Sequence, residues 1–398
     1  MVDTERQIFP RLSGGWVKAH LFQIYAHLPL LNLMVVLGSL CLVSSSNWLS
    51  VYLAIELSTL SLFILAAQRG GSGQSAEAGL KYFVLGALSS GLFLFGCALL
   101  CGLTGGTHIS YINLALNSGL DFSEVRVSIG SLLIMVSLLF KLSVAPFHMW
   151  APDVYDGAPT TTTALLAIVP KVGYFSILVS IGSAVNVLLV GVLFSMFVGA
   201  LGALNQTKVK RLLAYSGVGH MGFVLWGIEV GSFESIQASL IYVILYVIMS
   251  ICVFATILAL STAKSLIVEF GGLSRSLPVL ALTLALTFLS IAGVPPLVGF
   301  LGKWLVLLSG IVHQYYLVFL LAVMCSVVAG VYYVRIVKII YFQASSSFLI
   351  SSKMLKKENW INFRKALLIG AGLYVIGFTM FSPNLWLQLA HWAVGGLF

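Results

Sequence analysis

The sequence predicts an all-α polytopic membrane protein of about eleven transmembrane helices, arranged as two inverted five-helix repeats, each with a broken fourth helix. Three observations predict it. Hydrophobic residues make up 60% of the chain and charged residues 8%, where a soluble domain carries about a quarter charged. The apolar residues gather into runs of the length that crosses a bilayer, about 20 residues. The basic residues collect in alternate loops between those runs.

Taken in order, residues 1–27 mix charges with Trp16, His20 and Leu21 and read as a tether rather than an interfacial helix. Spans are expected at 28–46, 48–66, 79–103, 129–150, 161–182, 184–203, 211–229, 236–260, 278–310, 315–340 and 366–382. Proline lacks a backbone donor and breaks a helix interior, so Pro146 interrupts the fourth span just after Lys141, and Pro295 and Pro296 interrupt the ninth. A polar turn, Ala151 to Pro159, follows the first interruption. The first repeat is expected to occupy 28–182 and the second 183–345, with a loop and a C-terminal transmembrane helix in 346–398. Five spans per unit invert the second unit relative to the first. Interrupted helices at matching places in two such halves point to a transport site.

The basic residues test the count. Fifteen lie on the side of the N-terminus, among them Arg69, Lys208, Lys210, Arg211, Arg275 and Lys353 to Lys365, and only Arg126 lies opposite; the other five of the 21 fall within spans. A missed span would scatter this pattern. The positive-inside rule puts the N-terminus on the cytoplasm-equivalent side and the C-terminus opposite. The net charge of +9 therefore belongs to loops at a membrane surface and excludes a nucleic-acid partner. The opening residues lack a signal-peptide core, and Asp3 and Glu5 argue against an arginine-rich transit peptide. The five cysteines lie in or beside apolar runs without paired metal-site spacing, and are read as packing residues.

The chemistry-bearing residues are the charges left inside the spans. A lysine at the centre of a membrane helix costs about 2.5–3.5 kcal/mol on insertion scales, yet Lys141, Lys171 and Lys303 all stand in apolar sequence. Glu56 is the one acid deep in an apolar run. A carboxylate stabilises a nearby buried ammonium, and desolvation destabilises it. A row of Glu56, Lys141, Lys171 and Lys303 is thus suited to handing on a change in charge. Lys81 at the opening of the third span, His148 at the first break and His220 within the seventh span are relay candidates, histidine because it titrates near neutral pH. A fixed ion pair holding helices together is the structural alternative for Glu56. No metal, haem or nucleotide motif is present, so no cofactor is expected in this chain.

Two strings, LFKLSVAPFHMWAPDVYDGAPTTTTALLAIVPK and ALNQTKVKRLLAYSGVGHMGF, resemble the antiporter-like subunit 2 family of respiratory NADH:ubiquinone oxidoreductase, complex I. The resemblance runs from about residue 30 to 345. It implies two inverted five-helix repeats and proton translocation driven by quinone reduction elsewhere in the complex. Glu56 then matches the family's glutamate, Lys141 the lysine of the first broken helix, Lys171 the central bridging lysine, Lys303 the lysine of the second broken helix, and Lys81 a further lysine near the glutamate. The implied partners are other membrane-arm subunits and lipid. NAD, FMN, iron–sulfur clusters and ubiquinone are implied for other subunits. The chain starts at what resembles the fourth helix of the long bacterial form, so an accessory subunit or lipid is expected on the flank of the three absent helices. Shortened versions of this kind, and His220, resemble mitochondrial members, which implies the mitochondrial inner membrane with the N-terminus in the matrix and the C-terminus in the intermembrane space. A subunit of a cation/proton antiporter and a non-pumping structural membrane subunit are the alternatives.

Overall fold

The computed structural model describes residues 15–69, 72–112, 124–182, 187–260, 266–343 and 363–396. The described residues form α1 (Gly15–Ser44), α2 (Trp48–Ala66), α3 (Gly73–Thr104), α4 (Glu124–Lys141), α5 (Trp150–Gly157), α6 (Thr160–Ile181), α7 (Val187–Leu204) and α8 (Val209–Val230). They continue as α9 (Phe233–Ala259), a short 3-10 turn (Ile267–Phe270), α10 (Leu273–Ser276), α11 (Pro278–Ala292), α12 (Val298–Val312), α13 (Tyr316–Phe342), α14 (Phe363–Phe378) and α15 (Asn384–Gly395). Among them, α1, α2, α3, α6, α7, α9 and α13 are long and apolar enough to cross a membrane, and α4, α11 and α12 are shorter apolar helices. The all-helical membrane architecture expected from composition is what the chain adopts.

Three boundaries differ from the sequence reading. The helix of α1 already runs from Gly15, so the segment read as a tether is helical from that residue; between Gly15 and Pro29 no glycine or proline interrupts it. The Ala151–Pro159 turn holds a helix, α5. Its proline, Pro152, stands in the first turn, where a missing N–H leaves no helical bond unmade. The last span does not stop at residue 382. Pro383 occupies the N-cap of α15 and starts a second helix, which reaches Gly395.

The two expected units share a device. Asn47 and His108 form a single antiparallel bridge that ties the start of α2 to the chain just beyond α3, with Trp48 N–H donating to Thr107 O and Ile109 N–H to Ser46 O, both at 3.0 Å. Lys208 and Leu266 form the same bridge between the start of α8 and the chain beyond α9, with Ile267 N–H donating to Thr207 O at 2.9 Å. The broken spans, α4–α5 and α11–α12, follow these pairs in the same order.

Lipid tails are as apolar as leucine, so helix association in a bilayer depends on close packing of small residues. The contact of α7 with α8 is of this kind. A Cβ at Gly199 would fall 2.5 Å from Gly219 N, and one at Gly222 would strike Ser195 Oγ. The backbones touch here, and α8 is enclosed nearly all round. Gly199→Val is therefore expected to lower stability by about 1–3 kcal/mol, as overpacking does. Gly102→Val, with nothing within 4 Å of the added atom, is expected to change it far less. Thermal midpoints of the two solubilised variants check this.

Candidate functional site

The first break begins at Lys141. The residue closes α4, and Ser143 then takes a positive φ of 59°. The carbonyls freed at the helix end find partners inside the chain: Phe140 O accepts from Ser143 N–H at 3.0 Å and from Trp150 Nε1–H at 2.9 Å, and Leu139 O accepts from Val144 N–H at 2.9 Å. The break is thus closed by its own backbone and by the indole that opens α5. Lys141, 7% exposed, turns away from it and donates from Nζ to Gly86 O of α3 at 3.2 Å. Gly86 is bare because the Phe63 ring of α2 lies where its Cβ would be.

Glu56 projects from α2 and is half-buried. Its charge is felt at Lys141, Tyr174 and Tyr52. Ion pairs among the described residues join Lys81 to Glu77 and Asp153, Lys208 to Asp156, and Arg211 to Asp153. Glu56 is in none of them, so Lys141 rests on a neutral carbonyl with the carboxylate in electrostatic range but not in contact.

Lys171 follows Pro170 inside α6 and is 4% exposed. Its Nζ donates to Tyr246 Oη of α9 at 3.0 Å and stands 4.8 Å from the centre of that ring. The ring of His220 of α8 also lies against Tyr246, with ring centres 5.4 Å apart. The His220 ring is held at both nitrogens, Nδ1 2.7 Å from Tyr242 Oη and Nε2 3.3 Å from Tyr333 Oη. A hydroxyl both donates and accepts, so the two tyrosines satisfy either neutral tautomer of the ring and its protonated form. Lys171 and Lys303 both lie within electrostatic range of His220.

Lys303 sits one turn into α12, 7% exposed, and donates from Nζ to Ala292 O at 2.7 Å. That carbonyl belongs to the last residue of α11, at the second break. A helix C-terminus carries partial negative charge, so the ammonium caps the helix that the break ended. Gly293 permits the contact: its φ is 87°, and a Cβ there would lie 3.0 Å from Lys303 Cδ. Neither Lys171 nor Lys303 has a carboxylate partner among the described residues.

The structure therefore brings Lys171, His220 and Lys303 together around buried tyrosines, while Lys141 is buried on its own carbonyl with Glu56 in electrostatic range. Lys81 is in neither place. Its side chain is 41% exposed and ion-paired to Glu77 and Asp153 at 2.6 and 3.0 Å, in a cluster where Asp153 also takes Arg211. His148 lies half-buried in the first break, its ring 6.2 Å from that of Tyr215, and contacts none of the buried lysines. Tyr242, Tyr246 and Tyr333 were missed by sequence reasoning. The available signal was a polar tip at i and i+4 of an otherwise apolar run, since a buried tyrosine hydroxyl usually has a partner.

Residues 45–330 match the family model described as NADH:quinone oxidoreductase/Mrp antiporter, transmembrane. The chain is 75% identical over 374 residues to the NADH-ubiquinone oxidoreductase chain 2 of Metridium senile, covering 93% of this chain and 97% of that one. It is 40% identical over 328 residues to the NADH-quinone oxidoreductase subunit N 1 of Acidiphilium cryptum, covering 79% of this chain and 68% of that one. Among solved structures, a chain of respiratory complex I from Thermus thermophilus with bound aureothin superposes with a TM-score of 0.77 at 30% identity, over 91% of this chain and 79% of that one.

The central contact gives a direct expectation. Tyr246→Phe leaves the buried Lys171 ammonium without its acceptor, which costs about 1–3 kcal/mol or more for a charged group. Tyr111→Phe, at an exposed ring, is expected to stay within about 0.5 kcal/mol. Denaturation midpoints of both variants in one detergent measure the difference.

Proposed function

Because the chain belongs to the NADH:quinone oxidoreductase/Mrp antiporter family of membrane proteins, we propose that it is the antiporter-like, proton-translocating subunit of the membrane arm of a respiratory NADH:ubiquinone oxidoreductase. It acts as a subunit of that enzyme and carries no redox chemistry of its own; the nicotinamide, flavin, iron–sulfur and quinone groups belong to other subunits. One observation carries the reading: three buried lysines and a buried histidine all have neutral carbonyls or hydroxyls as their direct partners.

The neutral partners matter because they leave each ammonium free to lose its charge. A lysine locked to a carboxylate would keep its proton, and the carboxylate left behind would be an orphan charge in a dry site. Lys141 is the member with an acid in range. When Lys141 moves from Gly86 O toward Glu56, the pair forms and the positive charge felt further along falls. Lys171 responds at Tyr246, His220 at its two tyrosines, and Lys303 at the end of α11. Proton exchange with either surface occurs where water reaches the ends of this series. Lys81 and His148 lie on the basic-loop side of it, and in this reading they feed protons rather than belong to the series.

Location follows from the same reading. The subunit resides in the mitochondrial inner membrane, with the basic loops in the matrix and α15 toward the intermembrane space. On α1, Leu30, Leu33 and Leu40 are exposed, and in this reading they face lipid or another subunit. Trypsin is expected to cut after Lys356 or Lys357 in membranes with the matrix face outward, and to leave these sites intact from the other face. The reverse result would invert the topology.

The pair Glu56–Lys141 carries the functional test. Glu56→Gln and Lys141→Met are each expected to abolish most coupled proton pumping. Removing Glu56 leaves the buried Lys141 without the opposite charge in its range, so assembly is expected to suffer. The double variant removes both charges and is expected to regain assembly but not pumping. Pumping at the native level by the fully assembled double variant, measured in reconstituted vesicles, would mean that the pair is only structural.

A further inference from the structure

The end of the chain contains a third interrupted span, and its depth can be read from α9. Four contacts run antiparallel along that helix. Lys365 Nζ donates to Leu258 O at 3.4 Å, and Cys252 Sγ lies 4.0 Å from Ile369 O. Gln237 Nε2 donates to Leu387 O at 2.9 Å, and the His391 ring sits edge-on against Phe233 with centres 5.1 Å apart. As the contacts step from Leu258 to Phe233 on α9, their partners step from Lys365 to His391. Thus α14 and α15 are the two halves of one membrane crossing, and the interruption Thr379–Pro383 falls opposite the stretch of α9 that holds Tyr242 and Tyr246.

That stretch is near mid-bilayer. At 1.5 Å per residue α9 is about 40 Å long, its middle lies beside Tyr246, and the hydrocarbon core is about 30 Å thick. A second observation agrees. Helix α14 packs against α12, the helix that begins at the second break and carries Lys303.

The interruption is closed on one side only. Thr379 is buried and donates from Oγ1 to Val375 O at 2.8 Å, and Phe381 N–H donates to Phe378 O at 3.1 Å. Ser382 and Asn384 face outward with Phe381, which is 77% exposed. Among the described residues neither Ser382 nor Asn384 has a side-chain hydrogen-bond partner. The other two breaks close on themselves, through Trp150 in one and Lys303 in the other. Irregular backbone at this depth is not tolerated against lipid; it occurs where protein or a water-filled cavity covers it. Outside this chain the cover has to come from another.

We propose that the outward face of residues 379–384 is a docking site for a transmembrane helix of a neighbouring subunit, one that presents polar side chains at mid-depth to Ser382, Asn384 and the freed backbone. Phe381 supplies the apolar anchor beside them. Interhelical hydrogen bonds of this type fix register as well as affinity. The proposal rests on the membrane crossing and not on the proton path, so it stands or falls separately from the role of Glu56 and Lys141.

A photo-crosslinking residue placed at Asn384 in the intact complex, irradiated in native membranes, is the test. The expected product joins this chain to a second membrane subunit, while the same probe at Leu367, exposed on α14, gives mainly lipid adducts. Lipid adducts alone at Asn384 would overturn the proposal. Should the Asn384 probe prevent assembly, the same probe at Phe381 gives the same two outcomes. Ser382→Ala with Asn384→Leu is expected to raise detergent-induced loss of this chain from the complex several-fold, with Asn384→Gln close to native. Equal retention of the double variant, Asn384→Gln and the native chain would also overturn it.

Discussion

Lipid offers no hydrogen bonds, so every place where this chain leaves the helix has to be satisfied by protein. The site is a consequence of that constraint. At the first break the freed carbonyls of α4 are taken by Ser143, Val144 and the Trp150 indole, and Lys141 is released to reach α3. At the second, the end of α11 recruits Lys303 itself. The two breaks therefore use their lysines in opposite ways. One lysine is the last residue of the helix that ends, and the other reaches back from the helix that follows. A sequence in which both breaks look alike, proline near lysine, conceals this difference.

Much of the architecture was legible because a bilayer leaves few choices. Twenty-residue apolar runs and prolines beside lysines are long-range or categorical signals, and they located most of the spans and the two breaks. What was not legible depended on local partners. Pro383 reads as a stop, yet at an N-cap it begins a helix. Ala151 to Pro159 reads as a turn, yet Pro152 in a first turn is compatible with α5. Of the site, the charged residues were legible because charge in an apolar run is costly and therefore conspicuous. The tyrosines were not, because a tyrosine is ordinary in such a run, and only the fold reveals that Tyr242 and Tyr333 converge on one imidazole.

The charged ends of the helices separate two kinds of lysine. On the side of the basic loops, Lys81, Lys208 and Arg211 pair with Asp153 and Asp156 of α5. These pairs are partly exposed, screened, and each worth little on its own. Their geometric effect is larger, since they fasten the short helix after the first break to α3 and α8. Lys81, matched by resemblance to a lysine near the glutamate, belongs to this fastening in the structure and is not one of the buried lysines.

The proposed series works through absence of contact as much as through contact. Salt bridges would hold Lys171 and Lys303 in one charge state, and direct lysine–lysine contact would keep at least one of them neutral. Neutral partners avoid both outcomes. Tyr246 touches both Lys171 and His220, and Lys303 is held at a helix end, so in the proposed proton path a charge change at one member would act on the next through the field of a low-dielectric interior, where it is weakly screened. His220 is the one member of the series that is neither cation by default nor acid. With hydroxyls on both nitrogens it keeps its hydrogen bonds in either neutral tautomer and when protonated, which is what the proposed relay between two lysines requires.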